Sequence, residues 1–143
     1  MSSALVRLLK KFVEESMGEV ERVVVSSPDG LLLAVSNPSE MDDIIAPLSA
    51  ALIGGADEAF NQYLSKYLEK ALSVLEIVIK FDGQYMIIRS AGKVIICAIT
   101  RSEPNLGLVY YLLDSYANKI AGLVANAEPR SQSEGQSLSE EEG

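Results

Sequence analysis

The run Val94–Thr100, VIICAIT, is apolar at six of seven positions and rich in β-branched residues. An antiparallel strand with one wet face alternates apolar and polar side chains, so a run of this kind needs cover on both faces. Other strand-like runs in the chain are nearly as apolar. A sheet with helices packed on both sides, three layers deep, is the architecture that provides such cover.

The remaining elements follow from period and punctuation. Leu5, Leu8, Leu9, Phe12, Val13 and Met17 recur at helical spacing and predict an amphipathic helix over about Ser3–Met17, with Gly18 as its stop. Two β-rich runs, Val20–Ser26 and Leu31–Ser36, flank Pro28-Asp29-Gly30, and that turn makes them a hairpin. Asn37-Pro38-Ser39 then opens a long helix to about Ser65. Ser39 with Asp42 resembles a capping box, but Asp43 as N-cap places Pro47 closer to the tolerated first turn and is preferred.

Lys66–Leu72 has no clear period. Beyond it Val74–Phe81, Gln84–Arg89 and Val94–Thr100 are separated by Asp82-Gly83 and Ala91-Gly92-Lys93, which predicts a three-stranded antiparallel meander. Arg101–Asn105 is a polar loop. A clean apolar stripe from Leu106 to about Ala125 is the last helix. From Ala127 the composition turns to Glu, Ser, Gln, Gly and Pro, so the expected division is a domain over 1–126 and a disordered acidic tail over 127–143. The predicted order is α-β-β-α-β-β-β-α around a five-stranded sheet, an α+β fold in three layers.

Charge and residue usage exclude several functions. The 143 residues hold 12 Lys+Arg against 20 Asp+Glu, a net charge of −8, which disfavours a nucleic-acid partner. Five tail glutamates against Arg130 carry half of that charge. The sequence contains no histidine, so a Ser-His-Asp triad is excluded and the commonest zinc ligand is missing. The single cysteine, Cys97, rules out an internal disulfide and is expected as a small core residue. Gly92-Lys93 lacks the other positions of a phosphate-binding loop, with Ile87 and Val94 where glycine and Ser/Thr belong. Asp42/Asp43 and Asp57/Glu58 are helix neighbours that point apart and form no acid/base couple. Arg7, Lys10 and Lys11 read as a solvated face, with Glu14 and Glu15 four residues on from the lysines. No segment is long and apolar enough for a signal peptide or a membrane span, so no direct membrane insertion is expected and the location expected is cytoplasmic. No cofactor is expected and no enzymatic activity.

Two elements expose more apolar surface than one small domain can cover. Ile44, Ile45, Leu48, Ala50, Ala51, Leu52, Ile53 and Ala56 spread around the whole second helix. Gly54-Gly55 in its middle costs helix propensity and points to close packing against another backbone. The strand Val74–Phe81 follows a helical crossover and falls at a sheet edge, an apolar pairing template. If two copies pair antiparallel about Val78, Glu76 of one lies opposite Lys80 of the other. The alternative is that both charges simply blunt the edge.

The hairpin VERVVVSSPDGLLLAVS, the helix IIAPLSAALIGGADEAFNQYL, the meander ending GKVIICAIT and the helix NLGLVYYLLDSYANKIAGL resemble the Roadblock (dynein light chain 7) family. Its bacterial members include the regulator partnered with a gliding-motility GTPase. The resemblance spans about Leu5–Val124. It implies a profilin-like domain that dimerises through its second helix and third strand, here through Leu48, Ala51, Leu52, Gly55, Ala59, Glu76, Val78 and Lys80. It also implies a non-catalytic homodimeric regulator or scaffold of a small Ras-like GTPase. Arg22, Arg89 and Arg101 are candidate arginine fingers in principle, the plainer alternative being that each is an ordinary surface or ion-pair residue. The alternative function is a small-molecule sensor on a profilin-like sheet.

Overall fold

The computed structural model describes the backbone of residues 2–140 and the side chains of residues 2–126. Its order is α1 (Ser3–Glu15), β1 (Val20–Ser26), β2 (Leu32–Val35), α2 (Asp42–Tyr63), α3 (Ser65–Leu68), β3 (Glu76–Phe81), β4 (Gln84–Ala91), β5 (Val94–Thr100) and α4 (Leu106–Glu140). The five strands form one antiparallel sheet in the order β2-β1-β5-β4-β3. The expected hairpin and meander are therefore joined by β1 pairing with β5, Val24 opposite Cys97.

β5 lies in the middle, which explains its unbroken apolar run. Val94, Ile96 and Ala98 enter a core shared with α1 and α4, while Ile95 and Cys97 enter a second core beneath α2. Within the first core Phe12 of α1 stacks on Tyr116 of α4, ring centroids 4.8 Å apart. Burial pushes the Cys97 thiol up to about 11, as its place in the second core requires.

The turns use the chemistry that their residues prescribe. Asp82 and Gly83 both take positive φ, 48° and 92°, as a two-residue type I′ hairpin demands. Gly30, at φ 93°, closes the first hairpin and donates to the Ser27 carbonyl at 3.0 Å. A β-carbon there would lie 3.1 Å from Pro47 Cα, so this glycine also lets the hairpin turn approach α2.

Some boundaries differ from expectation. α1 ends at Glu15, short of Met17, because the Ser16 hydroxyl turns to accept from Val20 N–H at 3.0 Å and Met17 and Gly18 reverse the chain at positive φ. α2 starts at Asp42 with Met41 in the cap position, and Asp43 is not the N-cap. The reason lies in tertiary pairing: Asp42 turns inward, where its carboxylate accepts from Arg22 of β1 and from Ser39 N–H. Residues left unassigned in the sequence include the single turn of α3, and Glu69 after it sits in the left-handed region at φ 57°. The backbone of α4 stays helical to Glu140, beyond the expected end near Ala125, since a helix once nucleated extends by one backbone hydrogen bond for each residue fixed. The expectation of a disordered tail falls on 127–143, whose side chains lie outside the described residues.

Candidate interaction surface

α2 lies on the sheet through Ile45, Ala46, Ser49, Ala50 and Ile53, all buried. Its other side is uncovered: Ile44, Leu48, Ala51, Gly55 and Ala59 are exposed, and Leu52 is half-buried at the margin. No residue from Ile44 to Ala56 is charged. An outer helix face without charge has no solvation of its own to gain from water. Within the protomer a β-carbon added to Gly54 or Gly55 would meet nothing within 4 Å. The close backbone packing expected of this glycine pair is thus not made inside one chain.

β3 occupies one sheet edge, with one side of its backbone unpaired. Val78, Lys80 and Phe81 are exposed along it. Side-chain clamps hold the approach to this strand against α2. Asp57 accepts from Val74 N–H at 2.7 Å, and the Asn61 amide oxygen accepts from Leu72 N–H at 2.8 Å. These bonds tie the second half of α2 to the segment that leads into β3.

The structure divides the sequence-predicted residues into two groups. Leu48, Ala51, Leu52, Gly55 and Ala59 share one helix. Glu76, Val78 and Lys80 lie on the opposite sheet face, because their cross-strand partners are Arg89, Ile87 and Tyr85, and Ile87 and Tyr85 belong to the core under α1 and α4. Only Ile77 and Ile79 of β3 pack toward α2. Glu76 accepts from Arg89 Nε at 2.8 Å, and the same guanidinium reaches Asp114 of α4. Partial burial works against the charged form of Arg89, but the bonds to Asp114 and Glu76 outweigh it and hold its pKa above the ordinary value. Lys80 lies over the Tyr85 ring, 5.6 Å from its centroid. Both edge charges thus have partners in their own chain.

The candidate arginine fingers separate similarly. Arg22 is buried against Asp42, and Arg89 is tied on two sides. Arg101 remains exposed, with Glu19 at 3.9 Å. Among the described residues no cluster of acidic or cysteine side chains could hold a metal ion, and no helix is long and apolar enough to cross a membrane.

Sequence reasoning missed the aromatic rim beyond α2. Phe60, Tyr63, Leu64, Tyr67 and Leu68 are all exposed large side chains. Their density in NQYLSKYL was visible, but a stretch with no clear period gave no means of saying which way they faced.

No protein-family model matches the sequence, and no curated protein is significantly similar to it. Solved structures do match. A Roadblock/LC7 domain from Streptomyces avermitilis is 16% identical with a TM-score of 0.72, covering 83% of this chain and 96% of that one. The gliding protein MglB from Thermus thermophilus is 20% identical with a TM-score of 0.66, over 89% and 96% of the two chains. Profilin IA from Acanthamoeba castellanii is 15% identical with a TM-score of 0.55, over 80% and 97%.

Proposed function

We propose, from a fold that the chain shares with Roadblock/LC7 domains and with profilin, that it acts as a homodimeric, non-catalytic regulator or scaffold of a small Ras-like GTPase. The observation that carries this reading is the uncharged, uncovered face of α2 lying beside the unpaired edge of β3. Two copies joined antiparallel along β3 about Val78 would continue one sheet into the other. The two-fold axis of such a pairing stands normal to the sheet, so both α2 helices lie on the same side and run antiparallel. Leu48, Ala51, Leu52, Gly55 and Ala59 then face a second copy. Along the strand Val78 lies on the axis, with Glu76 across from Lys80 of the other copy.

The likeness to MglB supports a GTPase partner, as the sequence resemblance implies. Regulation needs no catalytic group from this chain: a binder that prefers one switch conformation shifts the GTPase toward it. Tenfold preference requires about 1.4 kcal/mol of differential affinity, within reach of a few side-chain contacts. Residues 1–126 form the regulatory domain and 127–143 an acidic appendage, in the cytoplasm.

Light scattering tests the dimer, and single-turnover GTP hydrolysis and nucleotide exchange by purified small Ras-like GTPases test the regulation. The expected result is a dimer mass and a changed rate or a stable complex. An Ala51→Glu chain should remain folded, scatter as a monomer and lose the effect. A wild-type monomer at micromolar concentration would overturn the dimer, and unaltered kinetics without complex formation across such GTPases would overturn the partner.

A further inference from the structure

The rim at the end of α2 is too apolar and too well fixed to be an idle loop. Tyr63 is 63% exposed and Tyr67 is 77% exposed, with Phe60, Leu64 and Leu68 beside them. Tyrosines in such numbers are typical of surfaces that another protein covers. The segment is held in place: the Ser65 hydroxyl donates to the Asn61 carbonyl, the Asn61 side chain bonds both backbone groups of Leu72, and Glu69 reverses the chain in the left-handed region. Its aromatic side chains are presented at the end of a rigid rod.

Resting on the dimer proposed above, we infer that this rim, Tyr63–Leu68, is a clasp that closes over the first turn of the partner copy's α2. An isologous interface must be self-complementary, so each position on the helix selects its opposite number. An axis between Ile53 and Gly54 sets Leu52 against Gly55, Leu48 against Ala59 and Ala51 against Ala56, a large or small side chain against a small one each time. The same axis brings Tyr63 onto Ile44 and the start of α3 onto Glu40, Met41 and Asp43. Ile44 is 64% exposed and Met41 is 53% exposed, so the target is as uncovered as the clasp.

Charge agrees with this placement. The entrance of α2 carries Glu40, Asp42 and Asp43 with no basic residue nearby in sequence, and Asp42 alone is satisfied, by Arg22. The clasp carries Lys66 and Lys70. Among the described residues none of Glu40, Asp43, Lys66 and Lys70 has an ion-pair partner. A second copy would supply each set with the other, twice per dimer.

The test uses the full chain carrying both Ile44→Cys and Tyr63→Cys. The two positions are about 28 Å apart along one helix at 1.5 Å per residue, so no disulfide can join them within a chain. Native Cys97 is buried. Mild oxidation should give a covalent dimer from the double variant and from neither single variant. As a second measurement, Lys66→Glu should raise the dimer dissociation constant roughly tenfold, about 1.4 kcal/mol over two symmetric contacts, and Glu40→Lys in the same chain should restore it. A wild-type dimer whose double-cysteine form does not cross-link, and whose affinity ignores Lys66→Glu, overturns the clasp while leaving the dimer intact; that result would mean the rim serves another protein. A wild-type monomer overturns both.

Discussion

Arg22 and Asp42 meet where α2 enters the layer above the sheet, and both side chains are almost fully enclosed. Removing one leaves the other charged and unpaired in a place water does not reach, so Asp42→Ala should lower stability by about 3–5 kcal/mol. Replacing both, with Arg22→Met and Asp42→Leu, should lose far less. Urea unfolding of the two variants checks the contrast. Cys97 gives a second test at this scale. Burial disfavours the thiolate and pushes this thiol up from its ordinary value of 9.0 to about 11 in the folded protein. A raised folded pKa means that its contribution is complete below pH 9 and is lost as pH climbs toward 11, an effect of order 2–3 kcal/mol. A stability–pH curve for Cys97→Ala should be flatter than wild type across that interval. The burial of Cys97 was legible from the sequence, since it sits inside VIICAIT. The bond of Asp42 to Ser39 N–H was foreshadowed by their capping-box spacing, but its Arg22 partner was not, because a strand twenty residues away supplies it.

Among elements, the glycines of α2 and of its neighbouring turn behave oppositely. Gly30 is bound by two constraints, positive φ and Pro47 Cα at 3.1 Å from a would-be β-carbon, so Gly30→Ala should destabilise by about 1–2 kcal/mol or more. Gly54 meets open space in the protomer, and Gly54→Ala should stabilise the isolated fold by up to about 1 kcal/mol through helix propensity alone. Gly55→Leu should leave the protomer folded yet weaken self-association at least about tenfold, since added bulk overpacks a close helix contact. Sedimentation equilibrium and thermal unfolding, run side by side, separate the two effects. The sequence announced this pair as anomalous through its propensity cost. It could not say that both positions face open space within the protomer.

Among the described residues the buried side chains of the two cores lie between Leu5 and Ile120, and the half-buried ones packed against them end at Val124. A chain ending at Asn126 should therefore unfold with an unchanged midpoint, within the error of a denaturant titration, and keep its self-association. The sequence by itself determined the element order, the two tight turns and the requirement for helices on both sheet faces. Each of these follows from interactions between near neighbours or from the period with which apolar residues recur. Tertiary structure alone decided that the hairpin joins the meander through β1 and β5, that Glu76 and Lys80 find partners within the chain, and that the Tyr63–Leu68 rim stands outward. Those outcomes depend on which distant surfaces meet, and a local pattern carries the need for a partner without carrying its address.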